Sequence, residues 1–218
     1  MQGTAILFGA TGAVGSQLLR QLLQEKRYDR IVVFARRSPG ITHPALEINI
    51  DPLDDPERIA DRIQGDHLFC CLGTTSKKAG SKEAFRKVDL DLPVALAAIA
   101  SRNGVGTFVV ISSIGAGESA KGFYLRTKSR MEEGVKQYSF KNLAIVRPSL
   151  LLGERNEFRF GEFIGAGLNI VFSPLLRGRL KKFRGIRTET VARAMITIAN
   201  TGNGYRVYES DELQDLGS

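Results

Sequence analysis

The chain has 218 residues, 43% of them hydrophobic and 25% charged, which suits one domain with a full buried core and excludes a disordered or low-complexity chain. No apolar run reaches the ~18 residues a bilayer-spanning helix needs, and the apolar stretch Ala5–Phe8 is too short for a signal peptide. The net charge is +8, and two adjacent cysteines, Cys70 and Cys71, exclude a disulfide framework or a complete metal site, so a reducing, cytoplasmic setting is expected.

Taken in chain order, Thr4–Phe8 predicts a buried strand that runs into Gly9-Ala10-Thr11-Gly12-Ala13-Val14-Gly15. The leucine spacing then predicts a helix over Gln17–Leu23. Strands follow at Ile31–Ala35 and at Leu46–Ile50, which ends at Asp51-Pro52, with a helix over Pro56–Ile63. His67–Leu72 predicts a fourth strand, stopped at Gly73. Ser81–Arg102 reads as one helix or two abutting pieces, since Pro93 lacks the amide a helix interior needs. Thr107–Ser112 is the fifth strand, Tyr124–Tyr138 a helix, and Leu143–Val146 the sixth strand. A helix at Thr188–Asn200 and a short strand at Tyr205–Tyr208 close the series.

Strands alternating with helices predict an α/β fold: a doubly wound parallel sheet of the Rossmann kind, as a single domain over residues 1–218. The rhythm breaks after Gly153, so 154–187 is expected to be a substrate lobe or lid inserted in that domain. This part of the chain carries eight basic residues from Arg155 to Arg187 against only Glu157 and Glu162. Such a cluster is either a solvated surface or a site that concentrates an anionic ligand. Interleaved aromatics are few, so no nucleic-acid partner is expected. The run Phe163–Leu176 is short and broken by Gly165, Gly167 and Pro174, which favours a lid over a membrane-docking segment.

In open parallel sheets ligands bind beyond the carboxyl ends of the strands. Gly9–Gly15, Leu72-Gly73-Thr74-Thr75, Ser112-Ser113 and Arg147-Pro148 all fall at such ends, so four segments are expected to converge on one crevice. Gly9, Gly12 and Gly15 follow a strand and open a helix, where they allow a tight turn, approach of a pyrophosphate and close helix–strand packing. The second strand ends Phe34-Ala35-Arg36-Arg37, with two guanidiniums where a cofactor lacking the 2′-phosphate would call for a carboxylate. NADP(H) is therefore the expected cofactor, with NAD(H) second. Asp51 either contacts the adenine or caps the turn before Pro52.

Tyr124 and Lys128 are four residues apart and share a helical face, where an ammonium favours the phenolate and suits the tyrosine to proton transfer. Ser112 or Ser113 would donate to a substrate carbonyl as charge develops on it. Cys70 and Cys71 are expected to end a buried strand, one facing the core and the other the cofactor. His43 and His67 have no ligand-spaced partners, so no metal is expected.

With these motifs in place, the chain resembles an atypical short-chain dehydrogenase/reductase, in the branch that includes the HIV Tat-interacting protein. The resemblance rests on the Gly9–Gly15 loop, Phe34–Arg37, Cys70-Cys71-Leu72-Gly73-Thr74-Thr75 with Lys78-Ala79-Gly80, and Val88-Asp89. It continues through Ser112-Ser113, Tyr124-Leu125 with Lys128, Arg147-Pro148 and Asp215-Leu216-Gly217. It implies NADPH binding and a Ser113–Tyr124–Lys128 triad. Two departures stand out: Asp89 occupies the place where many such enzymes carry an Asn of the proton relay, and Lys77 replaces a loop glycine. The reading is a carbonyl reductase or alcohol dehydrogenase acting on a small substrate, with an anionic one favoured by the basic segment. The alternative is a redox-sensing or interaction protein that binds NADPH with little turnover. A sugar-nucleotide epimerase ranks third, because the C-terminal region is short for that substrate lobe.

Overall fold

The computed structural model describes residues 3–153 and 178–218. Seven strands form one parallel sheet: β1 (Gly3–Phe8), β2 (Tyr28–Ala35), β3 (Leu46–Ile50), β4 (His67–Cys70), β5 (Thr107–Ile111), β6 (Asn142–Arg147) and β9 (Gly204–Glu209). Their order is β3-β2-β1-β4-β5-β6-β9. The order reverses beside β1, so the crevice between the β1 and β4 loops is where a ligand is expected.

Both faces of the sheet are covered, which is why its strands read as near-continuous apolar runs. On one face Leu7, Val33, Phe69, Val109 and Val146 pack under α1 (Ala13–Leu22) and α6 (Thr188–Thr201). On the other, Ile6, Phe8, Phe34, Leu68, Phe108 and Val110 pack under α4 (Leu92–Arg102) and α5 (Gly122–Val135). Burial of each such side chain contributes about 1.5–3 kcal/mol.

Ser81–Arg102 is built of abutting pieces, and Pro93 lies where the last of them starts. The chain runs unbroken from α3 (Lys82–Arg86) through a wide π-helical turn, Lys87–Asp91, into α4, with Pro93 in the first turn of α4. A proline costs nothing where the helical ladder is already shifted, because its missing amide falls in the altered turn. Lys77 lies in the helical turn α2 (Ser76–Ala79), capped by Thr75 Oγ1 and closed at Gly80 in the left-handed region. Pro56–Arg62 is a 3₁₀ helix.

Of the expected insertion, residues 154–177 lie outside the described ones, including the run Phe163–Leu176. Residues 178–187 form a 3₁₀ turn, Gly178–Phe183, and β8 (Ile186–Arg187), which pairs with β7 (Leu151–Leu152). The Ser149 hydroxyl donates to the Arg184 carbonyl and accepts from Ser210, tying the ends of that excursion together. The helix α7 (Ser210–Leu216) was not anticipated from its seven polar-rich residues; a Glu209–Glu212 capping box starts it.

Candidate functional site

The glycine loop is built by two steric demands. Gly9 has φ +85°, and a Cβ there would lie 2.5 Å from the Cys71 carbonyl oxygen. A Cβ at Gly15 would lie 2.1 Å from the Gly9 carbonyl oxygen, so α1 is seated on its own loop. Gly12 differs: at φ −82°, ψ 173° any residue fits the backbone. Its glycine is therefore not explained by the turn and suits close approach of a ligand.

Gly12 is the N-cap of α1, whose first turn carries no acidic residue. The first-turn amides of such a helix have no carbonyl partner within it and favour an anion. They border a cleft of about 410 Å³ lined by Ala10, Thr11, Ala13, Arg20, Arg37 and Thr188, among others. Arg37 reaches this cleft; its neighbour Arg36 is exposed and does not line it. Arg20, one helical face along α1 from Ala13, is a cation that loop-centred reading misses. Volume, cationic rim and uncapped helix end fit a dinucleotide's phosphates. Asp51 takes the capping role: its Oδ1 accepts from Leu53 N at 2.8 Å.

At the ends of β4, β5 and β6 a second cavity, about 20 Å³, is lined by Leu72, Gly73, Thr74, Asp89, Ser112, Tyr124, Lys128 and Pro148. Leu151 lines both spaces. Tyr124, Lys128 and Glu132 follow one another along one face of α5, and Phe85 of α3 packs edge-on to the Tyr124 ring at 5.9 Å. Lys128 Nζ lies 2.8 Å from Asp89 Oδ1, both side chains almost wholly buried. Asp89 Oδ2 accepts from Thr74 N at 2.7 Å, and Lys128 Nζ also points at the Ile111 carbonyl at 3.5 Å.

The two serines separate. Ser112 lines the cavity and donates to Glu132 Oε1 at 2.5 Å. Ser113 is fully buried outside the cavity lining, its hydroxyl donating to the Ile114 carbonyl at 3.3 Å.

Glu132, which sequence reasoning missed, is 1% exposed and holds Arg147 through Nε at 2.9 Å and Nη2 at 2.6 Å. Arg147 also reaches Glu209 at 3.1 Å. Its hydrogen bonds to Glu132, which accepts both, keep this guanidinium protonated well above the ordinary arginine range. The expected cofactor contact by Arg147 is thus corrected for its side chain, which is spent on two carboxylates; Pro148 stays at the cavity. The signal for Glu132 was present, eight residues after Tyr124 on the same helical face, but a glutamate there reads as solvated until its partners are known.

The cysteine expectation also needs correction. Cys70 and Cys71 enter the two opposite core layers, and neither lines the cleft or the cavity. Burial pushes the Cys70 thiol up to about 12, which leaves it an unreactive thiol near neutrality. His67 Nδ1 sits 2.7 Å from Tyr28 Oη, and His43 Nδ1 accepts from Ala45 N, so both imidazoles serve local structure.

A parallel sheet with a glycine loop under an uncapped helix, and a Tyr–Lys helix face at the neighbouring strand ends, defines a dinucleotide-binding domain of the short-chain dehydrogenase type. The chain belongs to the NAD(P)H-binding family, which it matches over residues 9–201. Within it the chain falls in the atypical short-chain dehydrogenase/reductase branch. It is 31% identical to protein HTATIP2 of Rattus norvegicus over all of this chain and 90% of that one. It is 37% identical to the mitochondrial protein FMP52 of Meyerozyma guilliermondii over 69% of this chain and 66% of the relative. The fold matches the Bordetella bronchiseptica enzyme WbmH, solved with NAD+, at a TM-score of 0.71 and 18% identity, over 96% of this chain and 75% of that one.

The fungal names overturn the cytoplasmic expectation, since FMP52 relatives from several fungi are called mitochondrial. The physical reason is that two buried cysteines indicate only that thiols stay reduced, which does not single out one compartment.

Proposed function

We propose that the chain is an NADPH-dependent oxidoreductase that exchanges hydride between nicotinamide and a small carbonyl or alcohol. The observation that carries this reading is the cavity gathering Tyr124, Lys128 and Ser112 beside a cleft able to take a dinucleotide. When bound, the nicotinamide supplies hydride chemistry that no side chain offers. The Gly9–Gly15 loop and the first-turn amides of α1 would hold the pyrophosphate, and Arg37, with Arg36 behind it, the 2′-phosphate. Leu72–Thr75 would border the cofactor, and Lys128 would hold the nicotinamide ribose. Tyr124 Oη gives or takes the proton at the substrate oxygen, and a serine at the end of β5 donates to that oxygen. The family-based choice is Ser113, while the cavity lining favours Ser112; single alanine variants decide between them. Segment 154–187 is the part we assign to substrate contact.

The test is titration of purified protein with NADPH and NADH, beside an Arg36→Ala/Arg37→Ala variant, followed by an NADPH-coupled carbonyl screen. Tight NADPH binding that the double variant loses supports the reading; equal or absent binding of both cofactors removes it. One observation favours a second reading, an NADPH-binding sensor or interaction protein with little turnover. The cavity at Tyr124 has room for about one water molecule. Turnover that disappears in Tyr124→Phe would rule that reading out.

A further inference from the structure

A bare ammonium one helical turn from a phenol stabilises the phenolate. Lys128 presents something else: with Asp89 Oδ1 at 2.8 Å and both groups buried, it is half of a neutral pair. The field of such a pair at a third group falls to that of a dipole, a small part of what one unit charge exerts at low dielectric. Asp89 is not free to swing away. The π-helical turn carries it, and the Thr74 amide holds its other oxygen. Asp89, Lys128 and Tyr124 line the same cavity.

Among the described residues, the other ionisable groups on the neighbouring elements add no strong positive charge. Glu132, further along α5, is closed by Arg147 of β6. Cys70, at the end of β4, is held neutral by burial. Lys82 and Arg86 of α3 lie over the Phe123 ring at 5.6 and 5.4 Å, on exposed side chains whose charge water screens.

We propose that Asp89 is a positioning residue that neutralises Lys128 and so keeps Tyr124 a phenol near neutral pH, setting the site to deliver a proton to a carbonyl oxygen. The proposal rests on the oxidoreductase reading and gives it a direction. In the reductive step a C–H bond forms as hydride from a reduced nicotinamide reaches the carbonyl carbon, and the carbonyl π bond opens. An O–H bond forms with the proton from Tyr124 Oη, which water then replaces, and the nicotinamide is left oxidised. The place where the relay Asn is replaced is then not a lost function but a different electrostatic setting.

The experiment needs no substrate. Ultraviolet difference titration of the phenolate, wild type minus Tyr124→Phe, isolates the midpoint of Tyr124 in the apo protein. In the Asp89→Asn background, which strips the charge from the pair, that midpoint should fall by about one pH unit or more. In the charge-neutral double variant Asp89→Asn/Lys128→Met it should return to within about half a unit of wild type. An unmoved midpoint in Asp89→Asn overturns the proposal. Should that variant not fold, the double variant decides: a midpoint about one unit or more from wild type overturns it equally. A failed carbonyl screen with these shifts intact would instead count against the oxidoreductase reading, so the two failures are distinguishable.

Discussion

The two ends of the crevice are built on opposite terms. At the β1–α1 end, amides and arginines face an open cleft of about 410 Å³, with no acidic side chain in the first turn of α1. At the β5–α5 end, buried and half-buried polar groups already have partners: Lys128 with Asp89, Arg147 with Glu132 and Glu209, Ser112 with Glu132. The cavity there is about 20 Å³. A binding end keeps polar groups in reserve for a ligand. A reaction end holds its dipoles in place beforehand, so that little reorganisation accompanies the chemistry. The difference teaches that substitutions at the first end should mostly alter affinity, and at the second mostly rate and stability.

The sharpest way to break this comparison is Tyr124→Phe. Removing a proton-transfer group should lower turnover by about 10²–10⁴-fold, while NADPH affinity measured by fluorescence titration stays within about twofold. A large loss of affinity instead would mean that the two ends are not separable. Next in size is Glu132→Ala, which leaves Arg147 with Glu209 alone and takes the acceptor from the buried Ser112 hydroxyl, and should cost about 1.5–3 kcal/mol in urea unfolding. A change below about 0.5 kcal/mol would show that the cluster carries no stability.

At the binding end Arg37→Ala should weaken NADPH by about 10–100-fold through loss of a charge-assisted contact, with NADH unchanged. Arg36→Ala, on a side chain that does not line the cleft, should change NADPH affinity by less than about threefold. Equal effects of the two variants would contradict the assignment of the cleft.

The smallest effect concerns the core between the two ends. Cys70 has its thiol pKa raised in the folded state, from 9.0 to about 12. Above pH 9.0 the unfolded chain therefore binds fewer protons than the folded one, and stability falls as pH rises through this window. Cys70→Ala should flatten that loss by about 1 kcal/mol between about pH 8 and about pH 10. Tyr28, also held protonated chiefly by burial, contributes in the same direction in both proteins and cancels in the comparison. A parallel fall in the two proteins would remove the thiol from the account.

Much of this molecule is written in local pattern. Val33 and Phe34 on β2 or Leu68 and Phe69 on β4 announce strands covered on both faces, because the period of two sends alternate side chains to opposite layers. The glycine loop announces itself too, since the steric demands on Gly9 and Gly15 come from segments whose pairing the βαβ pattern already implies. Pro93 marked the start of α4, but the π-helical turn before it has no signature at this length, and α7 was too short and polar to show a period.

What the sequence by itself determined is the parallel sheet, its cofactor edge, and the Tyr124–Lys128 face, all of them consequences of spacing along one or two adjacent elements. What only the tertiary structure decided is how the charges pair. Asp89 meets Lys128 across 39 positions, and Glu132 meets Ser112 and Arg147 from three separate elements. Electrostatics acts through distance in space, and at the crowded carboxyl ends of a parallel sheet that distance bears no simple relation to distance along the chain.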